Sequence, residues 1–523
     1  MTETIPHVRW LVVGQFSTTP DARHFAPSVS GVNQALAEAA ISVPVVVGDL
    51  IGEEDRAHYE IPLTKLRNFT QTAVSQLVLE GLYQTLDALQ SGKSTVTEAL
   101  ERVSDVVGAN GKLTTTILQL MKAPTSSTSS DLVEELLSSA TSRKGALDSF
   151  IQSTKTSSTP KASKTQRTKV AFAIEDALAR TAKSILDDEV LVGLEANWRG
   201  LKFLVDQCSE KTGIHVECID AGQDQVLDII ESLRSRELDE LPDAVFLLQA
   251  IGEPAKLRQL AELGEELQVP VVAQGLHSLV GADSMDDVVS KLEEPYGGTL
   301  EDWRELMTEE CARWLCVLLN PVVVFNEGAA SNRRVVFCSP VYAAAAMLAA
   351  SYGSVAGFSR IYGKRGSLAA PAMWQLTSSK HRGQGAPTRA FFSAATQSKL
   401  AALGIMGMGS GRNTDTLSLN NAPTVRSASS ALPLPSQILT GKIVRFALWA
   451  RDQVPSSAND DEVSALFQQA AEVFLFHGAT EGIQFKTGVE EQEGTRRIHI
   501  SVEINRAEDQ HGFQLAFSLP LFQ

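Results

Sequence analysis

Two hydrophobic periods alternate along this chain, and the places where one gives way to the other divide it. The run RWLVVGQF (9–16) is apolar, rich in β-branched residues and closed by Gly14. VPVVVGDL (43–50) repeats the pattern, and both runs have the length and continuity of buried strands. Between them, residues 32–40 suit a short helix. From Thr70 the apolar positions fall at Val74, Leu77, Leu82, Leu86 and Leu89, then at Leu100, Val103 and Val107, which is helical spacing. This completes a first module, residues 1–121.

Residues 122–169 read as a flexible connection. APTSSTSS and STKTSSTPKASKTQRTK are rich in Ser, Thr, Lys and Pro and bury too little apolar surface to order themselves. They bracket DLVEELLSSATS (131–142), where Asp131 and Glu134 occupy capping-box positions and Leu132, Val133, Leu136 and Leu137 share one face. A short amphipathic helix on two flexible arms is either a docking element or a segment packed on its own chain.

Beyond it, Ile174, Leu178, Ile185 and Leu186 predict a helix, and Trp198, Leu201, Leu204 and Val205 predict a second. Residues 244–248, 254–267 and 270–273 then read as strand, helix and strand, which implies parallel strands with a right-handed crossover. A helical stretch after Trp303, strands PVVVF (321–325) and RVVFC (334–338), and an Ala-rich helix from Pro340 follow. Residues 443–449 and 462–474 read as helices. IHISVEI and FQLAFSLPLF alternate with a period of two and are expected to pair as a hairpin across NRAEDQHG. The expected class is mixed α/β, with a 170–320 core and a 321–523 C-terminal region.

Composition narrows the functions. The chain has 523 residues, 43% hydrophobic and 21% charged, enough for two or three cores. Lys and Arg total 46 against 62 acids, and the net charge of -16 disfavours nucleic acid and anionic lipid as general partners. It says nothing of a local basic patch. No apolar run is long enough for a membrane helix, so the expected location is cytoplasmic. Cys208, Cys218, Cys311, Cys316 and Cys338 form no ligand ladder or disulfide framework and read as reduced, buried thiols.

Candidate chemistry fails on spacing. SGKST (91–95) lacks the glycine a phosphate loop needs, since Asp87 stands there. GIMGMGSGR has Arg412 where a dinucleotide fingerprint ends in glycine, and is expected to be a flexible connection. Cys311 and Cys316, placed on one helix, are poorly spaced to share a metal. The histidines, His477, His499 and His511 among them, lie in no catalytic context, and Glu481, Glu490, Glu491 and Glu493 read as a solvated face. No cofactor, metal or catalytic residue is expected.

Residues 170–205, which include LEANWRGL (194–201), resemble the large sheath protein of type VI secretion systems, TssC. Glu195, Trp198 and Arg199 carry that signature, and EDWRELM, with Trp303 and Arg304, resembles a second family segment. SPVYAAAAMLAASYGSVAG, QSKLAALGIMGM, ALPLPSQILTGKIVRFALWARD and FSLPLFQ resemble later ones in order. The first module is similar to the small sheath protein TssB, through RWLVVGQFS and YEIPLTKLRNF. Gln15 and Asn68 stand where that resemblance expects aspartates, Asn320 where it expects an arginine, and only residues 1–7 precede the first strand.

The resemblance implies a contractile-tail-sheath-like subunit, with a small N-terminal α/β module fused to a larger α/β module of two halves, self-assembling into stacked rings, six-fold by analogy. It implies an Hcp-like inner tube protein and baseplate proteins as partners, and no enzymatic activity. By that analogy the C-terminal hairpin, with Ile498, Ile500, Val502, Ile504, Leu515, Phe517 and Leu519, carries contacts between subunits, and the 122–169 connection supplies a missing arm. Leu132, Val133, Leu136 and Leu137 would be the docking face for a ClpV-like recycling ATPase. The short arm and the substituted positions favour, as an alternative, a non-contractile scaffold, ring or tube relative. A metabolic α/β enzyme built on 244–273 is the remaining alternative, and it lacks phosphate loops and catalytic pairs.

Overall fold

The computed structural model describes residues 8–27, 31–122, 164–208, 213–294, 301–328, 332–378, 381–428, 431–476, 482–492, 495–505 and 513–521. The segment 131–142, with Leu132, Val133, Leu136 and Leu137, lies outside them, as do His477, His511, Glu481 and Glu493. Helices and sheets are mixed throughout, and the packing forms two compact units that interleave along the chain. One comprises Met1–Ala35, Ala196–Asn326 and Val335–Gln523; the other comprises Leu36–Glu195 and Glu327–Arg334.

The first unit is built on a seven-stranded sheet. Its strands run in the order Ile405–Gly407, Leu315–Leu319, Val271–Gly275, Ala244–Ile251, Val8–Gly14, Ile214–Asp220 and His24–Phe25. All pair in parallel except the last, a two-residue edge. Val8–Gly14 lies near the centre, with Trp10 opposite Val216 on one side and Ala244 on the other. A strand buried on both faces needs apolar residues at successive positions, and WLVVG supplies them.

One face carries Leu11, Val13, Val245, Leu247, Val271, Ala273 and Val317, buried against helix Pro254–Leu267 through Leu257, Leu260 and Ala261. The other receives helix Pro340–Val355, whose buried Ala343, Ala344, Ala345 and Ala346 let it approach closely. The two sides together make a doubly wound sheet.

Two expectations change here. LCVLL, with Cys316, is a strand and not part of a helix: a short fully apolar run cannot be assigned by periodicity alone. Nor is GIMGMGSGR a loose connection. Ile405–Gly407 is the sheet's edge strand, Met406 and Met408 are buried, and a Cβ on Gly409 would lie 1.9 Å from Gln397 Nε2. The glycines permit close packing.

The second unit packs the antiparallel pair Ile41–Gly48 and Arg56–Leu63 with helices Gln71–Val78, Glu80–Gln90, Val96–Val107, Lys112–Lys122 and Lys164–Leu186. Val74, Leu82, Leu86, Leu89, Leu100 and Val103 are buried, whereas Leu77 is exposed, and the helix breaks at Leu79. The Gly-Lys-Ser stretch leads into a helix start. Thr95 Oγ1 accepts from Glu98 N and Thr95 N donates to the Glu98 carboxylate, a capping box.

Within the first unit, helices Leu434–Asp452 and Asp460–Ala470 support a three-stranded antiparallel sheet of Ile483–Gln492, Thr495–Ile504 and Phe513–Pro520. The expected hairpin is its second half, with Ile504 opposite Phe513. The first strand, IQFKTGVEEQ, adds a partner whose polar residues and glycine conceal its strand character.

Candidate assembly surfaces

The signature LEANWRGL lies in helix Glu189–Val205. Within the second unit, Glu195 is fully buried and paired bidentately with the Arg334 guanidinium. Arg334 also donates to the Glu327 carboxylate at 2.7 Å and to the Phe69 carbonyl. Glu327 accepts from Gln71 N at the start of helix Gln71–Val78. Burial pulls the guanidinium pKa down, but the two carboxylates outweigh it and hold it above its ordinary value. Two charges this deep are tolerable only because each is paired and hydrogen-bonded.

Within the first unit, Trp198 Nε1 donates to the Phe16 carbonyl at 3.0 Å, and its ring packs at 5.4 Å from Phe16 and 5.7 Å from Phe25. Asn197 donates to the Gln15 carbonyl, and Tyr342 Oη donates to the Asn197 carbonyl. Gly200 is required where Tyr342 crosses, since a Cβ would lie 2.3 Å from its Cδ2. Arg199 stacks over Phe325, 3.6 Å from its centroid. Trp303 is buried and donates to the Leu403 carbonyl, while Arg304 is exposed. The motif residues therefore hold the fold together, and Arg304 alone among them faces solvent.

Three residues depart from the family pattern, and each has a definite place. Gln15 donates to the Ser17 carbonyl, and Asn68 Oδ1 accepts from Thr64 N and Lys65 N in a turn. Asn320 is buried with φ 84°; it donates to the Ala390 and Met408 carbonyls and accepts from Ala390 N. An arginine at this buried position would have its charge out of water.

The C-terminal sheet places its predicted contact residues inside. Ile498, Ile500, Val502 and Ile504 are buried against Ile443, Ala447, Val463 and Phe467, and Leu515, Phe517 and Leu519 are partly buried on the same cluster. These side chains serve the chain's own core, because one face of the sheet must be covered for it to be stable. The sheet offers a partner its edges: among the described residues Ile483–Gln492 and Phe513–Pro520 each pair on one side only. Glu490 and Glu491 stand opposite Arg497 and Arg496 in the register and are cross-strand partners of opposite charge. Nearby, the turn Ala471–Leu475 leaves Val473 and Phe474 exposed beside Trp449, lining a shallow apolar groove.

The cysteine thiols are held in the protonated form by burial. All five cysteines are free and buried, and burial pushes Cys208 up to about 12 and Cys311 up to about 11, with Cys218, Cys316 and Cys338 also raised. Among the described residues no group of three His, Cys, Asp or Glu is placed to hold a metal, and no helix is long and apolar enough to cross a membrane.

Residues 168–242, which contain the signature helix and strand Ile214–Asp220, match the family VipB, described as EvpB/VC_A0108, tail sheath N-terminal domain. That segment is similar to a tail-sheath N-terminal domain. The chain is also similar to solved sheath structures. One is the sheath tail protein of Desulfitobacterium hafniense, at 9% identity and TM-score 0.31, covering 57% of this chain and 60% of that one. Another is the sheath of the extracellular contractile injection system PVC in the contracted state, at 11% identity and TM-score 0.34, covering 62% and 76%. A third is the contracted helical sheath of the anti-feeding prophage, at 11% and 0.33, covering 61% and 77%. The match spans about 60% of the length of the Desulfitobacterium protein. No curated protein matches the chain.

Proposed function

We propose that this chain is a structural subunit of a contractile-sheath-like helical tube, binding copies of itself and driving an inner tube by contraction. The observation that carries the reading is the sheath-family match over residues 168–242, centred on a helix whose Glu195 and Trp198 are fully engaged in holding the fold. The C-terminal sheet supports it physically: edge strands with unpaired backbone groups accept a further strand, and head-to-tail contacts repeated by a rotation and a rise give an open helix.

In this reading residues 1–121 are a TssB-like module and 170–523 a TssC-like one, fused through 122–169. Copies stack as rings around an Hcp-like inner tube on a baseplate, in the bacterial cytoplasm. Leu132, Val133, Leu136 and Leu137 dock a ClpV-like ATPase, and the chain catalyses nothing. Sedimentation of the purified chain tests the assembly step: particles of megadalton size support the reading, and a monomer or small oligomer at every concentration contradicts it. A pull-down with the ATPase's N-terminal domain, comparing the native chain with Leu136→Asp, tests the docking face.

A further inference from the structure

The charge of this chain is segregated. Between residues 328 and 451 there are fourteen Lys and Arg and a single acid, Asp415, in a chain whose acids outnumber its bases 62 to 46. Residues 224–310 run the other way, with twenty-one acids and six bases.

Part of this imbalance is settled inside the chain, since Arg334 is buried in the second unit, Arg445 and Lys442 pair with Asp243 and Arg426 pairs with Glu310; the remainder lies on two surfaces of the first unit. The basic one is a thin layer continuing from the edge strand Ile405–Gly407: a small sheet of Leu368–Ala369, Thr416–Ser418 and Gly409–Ser410, and a hairpin of Trp374–Gln375 with Gly385–Ala386. Asn413 joins them, donating through its backbone N–H to Gly385 O and accepting from Gly385 N. Lys364, Arg365, Arg382, Arg389 and Arg412 are exposed on this layer, and among the described residues none has a carboxylate partner. Arg389 and Arg412 are instead laid over aromatic rings, Arg389 over Trp374 and Phe337 and Arg412 over Phe391, which fixes their positions.

The acidic surface is the outer side of the helices covering one face of the large sheet. Val226–Ser232, Pro254–Leu267 and Glu301–Leu306 turn their apolar residues to that core. Asp228, Glu262, Glu301 and Asp302 remain exposed.

We propose that the basic layer of one copy binds the acidic helix layer of a second copy. Two-fold pairing through either surface would set like charges against each other, whereas basic layer on acidic layer satisfies both. The two surfaces are different, so the contact is heterologous and leaves a free basic layer at one end and a free acidic layer at the other, the condition for continued growth. Complementary potentials of this kind steer encounter and fix register. The inference rests on the self-assembly reading above and adds which surfaces meet.

The test uses the full chain, with sedimentation as the readout and unchanged melting as the check on folding. Assembly of the native chain should weaken as ionic strength rises from about 0.1 M to about 1 M, where the screening length falls from ~10 Å to ~3 Å. The variant Lys364→Glu, Arg365→Glu, Arg382→Glu should need roughly tenfold more protein to assemble, as should Asp228→Lys, Glu262→Lys, Asp302→Lys. A chain carrying both sets should recover assembly. Assembly indifferent to salt, a basic-layer variant that assembles like the native chain, or two defective variants whose combination is not rescued would each overturn the proposal while leaving the self-assembly reading intact. Binding of a labelled single-stranded DNA oligonucleotide that is lost in the basic-layer variant, with assembly unchanged, would assign the layer to nucleic acid and overturn it as well. A native chain that never assembles at any salt concentration removes both readings.

Discussion

Arg334 and Glu195 are 139 residues apart in the chain, and each is nearly inaccessible to solvent. Removing one partner of a buried pair leaves the other charged and without water, a cost of about 3–5 kcal/mol. Arg334→Ala should therefore lower the unfolding free energy by that amount, measured by denaturant melting, and should do so more than Glu195→Gln, which keeps the shape and a polar contact. A loss below about 1 kcal/mol in Arg334→Ala would mean the pair is not buried as described. Glu217 gives a pH test. Burial raises its carboxyl, but bonds from Arg236 and His24 outweigh that and leave it below its ordinary value. A lowered folded pKa contributes stability above the unfolded value of ~4.3 that is lost as pH falls through the folded one. Arg236→Gln should thus flatten the acid limb of a stability-against-pH curve, and superimposable limbs would contradict the assignment. The sequence pointed to Glu195 and Trp198 through their signature. It held no trace of Arg334 as a partner, because ion pairs between distant segments leave no periodic mark.

Among the elements, the edges of the C-terminal sheet carry the prediction. Deleting 498–523 would remove Ile498, Ile500 and Val502 from the core and unfold the sheet along with any contact it makes. Lysines at Gln514 and Ala516, exposed on the outer strand Phe513–Pro520, spare that core and place charges on the edge. If strand addition joins the subunits, this double variant should melt like the native chain and fail to form large particles; native-like particles would exclude this edge as the joint. The central strands were legible because a doubly buried strand is apolar at successive positions, as in WLVVG and AVFLL. LCVLL misled for the same reason, its composition suiting a buried helix equally well. Ile483–Gln492 went unread because its outward residues are Lys, Glu and Gln, and GIMGMGSGR because its glycines serve close packing, a property that shows only when Leu400 and Gln397 are seen against them.

At the scale of the whole molecule, the proposed function asks a chain to bind copies of itself and repeat. Its conspicuous tryptophans and buried charges are used inside its two units, and under the proposed function its sheet edges and segregated charge meet other copies. The order in which the units interleave along the chain was not legible, since strand Val8–Gly14 joins a sheet otherwise formed mainly by residues after 213. Pairing between strands about 200 residues apart follows from the three-dimensional register alone. Function here stands or falls with assembly, and negative-stain electron microscopy of the purified full-length chain in low-salt, near-neutral buffer is the sharpest check on it. Tubes or stacked rings with a regular axial repeat are expected; a uniform field of small particles at high protein concentration would refute self-assembly.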